Sequence, residues 1–387
     1  MVGIARCYNV NDMRDEARRR LPKWIFEFLD RGNEDEIAIA NNRAAFERVK
    51  LRNRVMVNIA DRNLGTSLFG KPINFPLAIA PTGAAGLCWY EGELALAKAA
   101  AAMGVPFTLA TGSLTRLEKL AEVAQGRLWF QVYLWRQREL SYELVKRARA
   151  AGFETLVVTV DFALGVLREY NLRNGFSMPY RPTLRTIRDI VLRPRWMTSV
   201  LFRYLITSGM PHNVNFPASH RKSVSTELRA ETLAWDDIKR LRDIWPGTLV
   251  VKGIMRPDDA QLAVDAGAEG IIVSNHGGRN MDSAGASLDA LPDIAQAVGD
   301  RTTILLDSGV RRGSDIVKAL AYGAKAVLIG KAALYGTAAG GQAGAERTLR
   351  LLRNEFEKTM GFVGCRTVDD ITTDVLSPES RPHTRLS

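Results

Sequence analysis

Cysteine and histidine are both scarce in this chain. Three cysteines (Cys7, Cys88, Cys365) and four histidines are scattered over 387 residues. That spacing excludes a zinc knuckle and a disulfide framework, suits a reducing compartment and gives no reason to expect a metal. No apolar run reaches the ~18 residues of a membrane-crossing helix. The stretch from Met1 to Asn9 lacks the apolar core of a secretory signal, so a cytoplasmic location is expected. Acidic charge is also short: 42 Asp and Glu face 53 Lys and Arg, leaving +11. Such an excess suits an anionic ligand, an anionic membrane or nucleic acid. No nucleic-acid motif accompanies it, so no nucleic-acid partner is expected.

Alternation is what the chain has in abundance. Strand-like runs fall at 75–80, 106–110, 128–132, 155–160, 249–251, 270–273, 303–306 and 326–329. Most are near-continuous Val, Ile and Leu, the pattern of parallel strands buried on both faces. Helical segments lie between them, at 91–103, 114–124, 138–151, 235–244, 257–266, 288–298, 313–322 and 333–360. Eight β/α units in series predict an α/β fold, the closed (β/α)8 TIM barrel, over an open sheet. Two parts fall outside the repeat. Residues 1–74 read as helices (10–20, 23–31, 34–48) packed on a barrel spanning 75–360, and 165–230 read as an insertion after strand four.

The insertion is where acid is scarcest. Between Met178 and Ile206 it carries Arg181, Arg185, Arg188, Arg193, Arg195 and Arg203 against Asp189 alone. Leu184, Ile187 and Val191 recur at helical spacing, as do Met197, Val200, Leu201, Tyr204 and Leu205, beside Trp196. Basic and apolar residues with an aromatic anchor suit an element lying on an anionic membrane through 178–216. An active-site lid or a subunit contact is the plainer reading. Under the membrane reading, excising 178–216 should leave a soluble, active protein.

Barrels of this type do chemistry at the C-terminal ends of their strands. Those ends carry Pro81-Thr82-Gly83, Ala110-Thr111, Gln131 and Tyr133, Thr159 and Asp161, Lys252, Ser274 with His276, Asp307-Ser308-Gly309, and Gly330-Lys331. Singly each has an ordinary role: Tyr133 in a core, Lys252 solvated, Asp161 capping a helix. Polar residues at all eight ends together point to a site. His276 and Arg279 share the glycine-loosened turn Ser274-Asn275-His276-Gly277-Gly278-Arg279. An imidazole can take a proton near neutral pH. A guanidinium can grip a carboxylate with two parallel bonds. The last two ends, with Arg311, bring backbone N–H groups and cations to the usual barrel phosphate position; ordinary glycine turns are the alternative.

These motifs, with Asp307-Ser308-Gly309-Val310-Arg311-Arg312-Gly313 and Phe130-Gln131-Val132-Tyr133, resemble those of the FMN-dependent L-2-hydroxy acid oxidase/dehydrogenase family. The resemblance runs from Leu21 to Cys365. It is strongest to the bacterial membrane-associated branch acting on mandelate and lactate. It implies one FMN hydroxy acid dehydrogenase domain over 1–387, a homotetramer, a 2-hydroxy acid substrate oxidised to the 2-keto acid, and a membrane quinone as acceptor at the cytoplasmic face of the inner membrane. By the same resemblance, His276 takes the substrate proton and Asp161 orients it. Arg168 and Arg279 hold the carboxylate, and Tyr133 bonds the substrate oxygen. Lys252 lies near flavin N1. Gln131 and Thr159 bond the pyrimidine edge. Pro81, Thr82, Gly83, Ala110 and Ser274 also border the flavin. Asp307, Ser308, Gly309, Arg311, Gly330 and Lys331 hold its ribityl phosphate.

The chain departs from that pattern in places. Phe28 stands where the family usually has a tyrosine that helps bind the carboxylate. Ala110 replaces a common serine, Lys331 a common arginine, and Asn280-Met281 a Gln-Leu pair. Gly83 stands where family oxidases tend to carry alanine, which favours quinone over oxygen. A soluble oxidase, a family member with a larger substrate and a non-catalytic basic barrel binding nucleic acid or lipid are the alternatives.

Overall fold

The computed structural model describes residues 3–162, 164–166, 168–177, 180–216 and 231–382. Residues 167, 178–179 and 217–230 of the expected insertion lie outside the described residues. Eight parallel strands close into a barrel: β3 (Leu77–Ile79), β4 (Phe107–Ala110), β5 (Leu128–Tyr133), β6 (Thr155–Thr159), β7 (Thr248–Ile254), β8 (Gly270–Val273), β9 (Thr303–Leu306) and β10 (Ala326–Ile329). β10 pairs with both β3 and β9, which closes the ring. Inside, Trp129, Val157, Val250, Ile272, Leu305 and Leu328 fill the lower barrel. The outer strand faces and the surrounding helices share the larger core.

Residues 1–74 are not all helical. A hairpin, β1 (Thr66–Leu68) and β2 (Lys71–Ile73), plugs the barrel floor with Leu68, Phe69 and Ile73. Its two-residue turn has Phe69 at φ +51° and Gly70 at φ +73°, the primed geometry that matches strand twist. The helices α1 (Val10–Arg20), α2 (Lys23–Asp30) and α3 (Ile37–Arg48) fall close to expectation. α1 lies along the C-terminal helix Lys331–Phe362. α3 reaches over the barrel top, where Arg43 donates to the Gly309 carbonyl at 2.5 Å and pairs with Asp315 at 2.7 Å.

Two elements differ from expectation in ways that matter. The last helix is broken at Gly340 and Gly341, where Gly341 has φ +59° and Trp89 sits 2.6 Å from the place a Cβ would take. β7 runs past its expected end at 251, with a register shift between Lys252 and Ile254. Gly253 at φ +108° makes that shift, and a Cβ there would strike Asp161 at 2.7 Å. The bulge re-aims the strand end and leaves room for the carboxylate behind it.

In the insertion, Glu169–Asn174 and Leu184–Val191 are helices, followed by a helical run from Pro194 to Thr207. Trp196, Val200 and Tyr204 are buried in the body, and the Trp196 indole donates to the Leu87 carbonyl at 2.7 Å. Trp196 is therefore an internal anchor, not the membrane anchor its neighbours suggested. Leu184, Ile187, Val191, Phe202 and Ile206 face outward. Among the described residues no helix is long and apolar enough to cross a membrane.

Candidate active site

Strand register sets the polar side chains at one level. Ala110 aligns with Gln131, Tyr133 with Thr159, and Thr159 with Lys252. The Gln131 amide donates to the Thr159 hydroxyl at 3.0 Å. Lys252 is buried; its Nζ donates to Ser274 Oγ at 2.9 Å and lies 3.2 Å from Asp307 Oδ2. Burial works against its charge, but Asp307 and Asp161 outweigh burial and hold its pKa above the ordinary lysine value.

His276 follows β8 at φ +58°, a left-handed position held by the Ser274 hydroxyl, which accepts from the His276 N–H at 3.0 Å. Its Nδ1 is 2.8 Å from Asp161 Oδ1. Burial would raise the Asp161 pKa; the facing imidazole and Lys252 outweigh it and hold the carboxyl below its usual range. With Asp161 ionised, its carboxylate accepts a hydrogen bond from Nδ1–H, which leaves Nε2 as the ring nitrogen with the lone pair free for chemistry.

Two guanidinium groups stand beside this pair. Arg168 donates to the Arg279 carbonyl at 3.3 Å, and Arg279 to the Arg31 carbonyl at 2.9 Å. Neither meets a carboxylate among the described residues. Burial, then the neighbouring Arg279 charge, lowers the Arg168 pKa to about 10. Tyr133 is pushed up by burial and by Asp161, so its hydroxyl stays protonated. Aromatic rings complete the wall. Phe162 lies 5.5 Å from Tyr133 and 5.9 Å from His276. Phe28 stacks on Phe176 at 4.1 Å and 6°, with the Arg279 guanidinium 5.2 Å from its ring.

The other end of the site is cationic. Lys331 Nζ donates to the Asp30 carbonyl at 2.8 Å, and Arg311 to the Val310 carbonyl at 2.8 Å. Burial, then Arg279 and Arg311, pushes the Lys331 pKa well below the ordinary value. The Asp307 carboxylate is engaged by Lys252 and Ser308 rather than by these cations. An acid cannot hold a phosphate oxygen, but it can accept from a sugar hydroxyl. Gly309 at φ +93° has no room for a Cβ, because Asn42 O would lie at 2.8 Å.

One cavity of about 270 Å³ joins both ends. It is lined by Phe28, Pro81, Thr82, Gly83, Ala110, Gln131, Tyr133, Thr159, Arg168, Lys252, His276, Arg279, Asp307, Ser308, Gly309, Arg311, Gly330 and Lys331. Asp161 and Ser274 sit one hydrogen bond behind it. Sequence reasoning missed Ile39, Asn42 and Arg43 of α3, and Phe162. Phe162 carried a signal, as the residue after Asp161. The α3 residues carried none beyond an amphipathic helix.

The donor set fits FMN: the cations Arg311 and Lys331 at one end for a phosphate, the Gln131–Thr159 pair at the other for a pyrimidine edge, and Lys252 between. The family model described as FMN-dependent dehydrogenase matches residues 17–378. The (S)-mandelate dehydrogenase of Pseudomonas putida is 38% identical over 385 residues, covering 97% of this chain and 95% of the relative. An L-lactate oxidase of Nostoc sp. is 42% identical over 383 residues, covering 97% and 100%. Among solved structures, a monotopic membrane protein (S)-mandelate dehydrogenase superposes with a TM-score of 0.91 at 38% identity, covering 96% of this chain and 99% of that one. With a family match over nearly its whole length and relatives this similar, the chain belongs to the FMN-dependent 2-hydroxy acid dehydrogenases.

Proposed function

We propose that this site oxidises an L-2-hydroxy acid with an aromatic or bulky side chain to the 2-keto acid. The observation that carries the reading is the pair Arg168 and Arg279, cations without an acid partner among the described residues, beside the His276–Asp161 pair. A partly buried guanidinium without an acid beside it calls for a carboxylate. In this reading Arg168 and Arg279 fix the substrate carboxylate, and the Tyr133 hydroxyl bonds the substrate oxygen. His276 Nε2 takes the Cα or hydroxyl proton, and Asp161 stabilises the resulting imidazolium. FMN, when bound, supplies the sink for the two electrons released. Lys252 supplies a fixed positive charge where negative charge develops. The rings of Phe28, Phe162 and Tyr133 suit an aromatic substituent, and the mandelate dehydrogenase relative favours the same choice.

A membrane quinone is the acceptor we favour. Gly83 supports it, because its neighbours do not demand glycine: a Cβ would meet only Gly112 O, at an ordinary 3.5 Å. The second reading, an oxidase that uses oxygen, is favoured by the L-lactate oxidase relative. The test is anaerobic titration of the flavin-loaded protein. (S)-Mandelate should bleach the flavin band at lower concentration than L-lactate. Turnover with a soluble quinone should proceed without oxygen uptake. Bleaching by neither acid rejects the reaction; rapid oxygen consumption rejects the quinone assignment.

A further inference from the structure

We infer that a second cavity, between α2 and the insertion helices, binds a phosphate group. It measures about 410 Å³ and shares no lining residue with the cavity around His276. The wall between them is the stack of Phe28 on Phe176, with Trp24 5.7 Å beyond Phe176.

Two buried side chains of this second cavity lack partners. Trp24 is 3% exposed and Tyr170 4%. The Trp24 indole N–H and the Tyr170 hydroxyl have no hydrogen-bond partner among the described residues. Buried donors are seldom left unpaired, because losing water without gaining an acceptor is costly. Both residues line the cavity, and an acceptor-rich ligand drawn in against their rings would satisfy both donors.

The charge of the lining says what kind of ligand. Lys23, Arg31, Arg173, Arg185 and Arg188 contribute to it, against Glu27 and Asp189. Both acids are engaged. Glu27 accepts from Asn174 at 2.8 Å and pairs with Lys23 at 3.7 Å, and Asp189 accepts from the Trp24 backbone N–H at 3.4 Å. Arg31 pairs with Glu36, and Arg173 with Glu169. Arg185 and Arg188 have no carboxylate partner among the described residues. Arg185 also donates to the Arg173 carbonyl, but two guanidinium groups without an acid and two neutral donors suit a tetrahedral oxyanion with more than one charge. Its source is free phosphate or the headgroup of an anionic lipid. The outward-facing Leu184 and Val191 of the helix that carries Arg185 and Arg188 suit the lipid source as well.

The experiment uses the flavin-loaded protein with excess FMN, so that the cofactor's own phosphate site is filled. Inorganic phosphate is titrated by calorimetry. The wild type should bind one phosphate saturably. Arg188→Glu, on an exposed side chain, should weaken binding about tenfold or more, as loss of a charged hydrogen-bond donor implies. Trp24→Phe should weaken it several-fold. The flavin spectrum should be unchanged in both variants. Phosphate that displaces the protein from phosphatidylglycerol vesicles identifies a lipid headgroup as the source; saturable binding without displacement identifies free phosphate. Either supports the site. Absence of saturable binding in the wild type, or wild-type affinity in both variants, overturns it.

Discussion

At the scale of single residues, Phe28 and Asp161 make opposite demands on the same reaction. Phe28 lacks the hydroxyl that the resembling family offers a carboxylate, and its ring is pinned between Phe176 and Arg279. Phe28→Tyr should restore a charged hydrogen bond worth about 1.5–3 kcal/mol and lower KM for a small 2-hydroxy acid about tenfold. An unchanged or raised KM in steady-state kinetics would reject a carboxylate at that position. Asp161 acts on the site through its hydrogen bond with His276. Asp161→Asn keeps the shape but removes the charge that stabilises an imidazolium, so kcat should fall about a hundredfold or more. Flavin binding should be retained, which the absorption spectrum reads. A kcat within a few-fold of wild type would remove Asp161 from the chemistry. Asp161 was legible as a polar strand end. The glycine that makes room for it, Gly253, was not, because its role lies in a bulge and a 2.7 Å approach that only the folded strand creates.

At the scale of elements, the barrel strands and their polar ends could be read because continuous apolar runs and a fixed end for chemistry are local signals. The contribution of α3 could not. Asn42 exchanges hydrogen bonds with Asn275, and Arg43 reaches Gly309 and Asp315, across most of the chain. Helical periodicity says that a face is buried, not against what. The hairpin β1–β2 was hidden by its length, two strands of three residues joined by Phe69-Gly70. The junction of α2 and the C-terminal helix carries its own prediction. Burial and the neighbouring Arg279 and Arg311 outweigh Asp30 and Glu36 and hold the Lys331 pKa well below the ordinary value. Only the ammonium form attracts a phosphate dianion, and a bound dianion would restore that form. Below the depressed pKa the lysine is charged with or without cofactor, so its charge adds no pH dependence. Above it, binding must take up a proton, and FMN affinity should fall with rising pH by up to about tenfold per unit. The comparison belongs above the second phosphate pKa of about 6. Lys331→Arg stays charged throughout and should flatten the slope. Fluorescence titration of the flavin-free protein with FMN measures both; equal slopes would show that Lys331 does not titrate.

At the scale of the whole molecule, the insertion is both a wall of the fold and a candidate docking face. The sequence suggested that 178–216 could be cut away. The structure argues against that cut. Trp196 bonds to Leu87, Tyr204 accepts from the Glu91 N–H at 3.2 Å, Asn215 accepts from the Leu117 N–H at 3.1 Å, and Phe216 stacks on Trp135 at 4.8 Å. Excision would unseat all four and expose the barrel helices beneath. What is free to meet a membrane is the outer face, where Leu184, Ile187, Val191, Phe202 and Ile206 lie among exposed arginines. We propose that this face docks on anionic lipid. Each such side chain gains about 1.5–3 kcal/mol when fully buried. Replacing Leu184, Val191 and Phe202 together with serine should therefore weaken binding to phosphatidylglycerol vesicles about a hundredfold or more, since each factor of ten is about 1.4 kcal/mol. The flavin spectrum and kcat with a soluble acceptor should be unchanged, because none of the three lines the cavity around His276. Raised salt should weaken the wild type as well, because the flanking arginines act through a screened field. Vesicle sedimentation that is equal for the triple variant and the wild type, or absent in both, would show that this face does not meet a membrane.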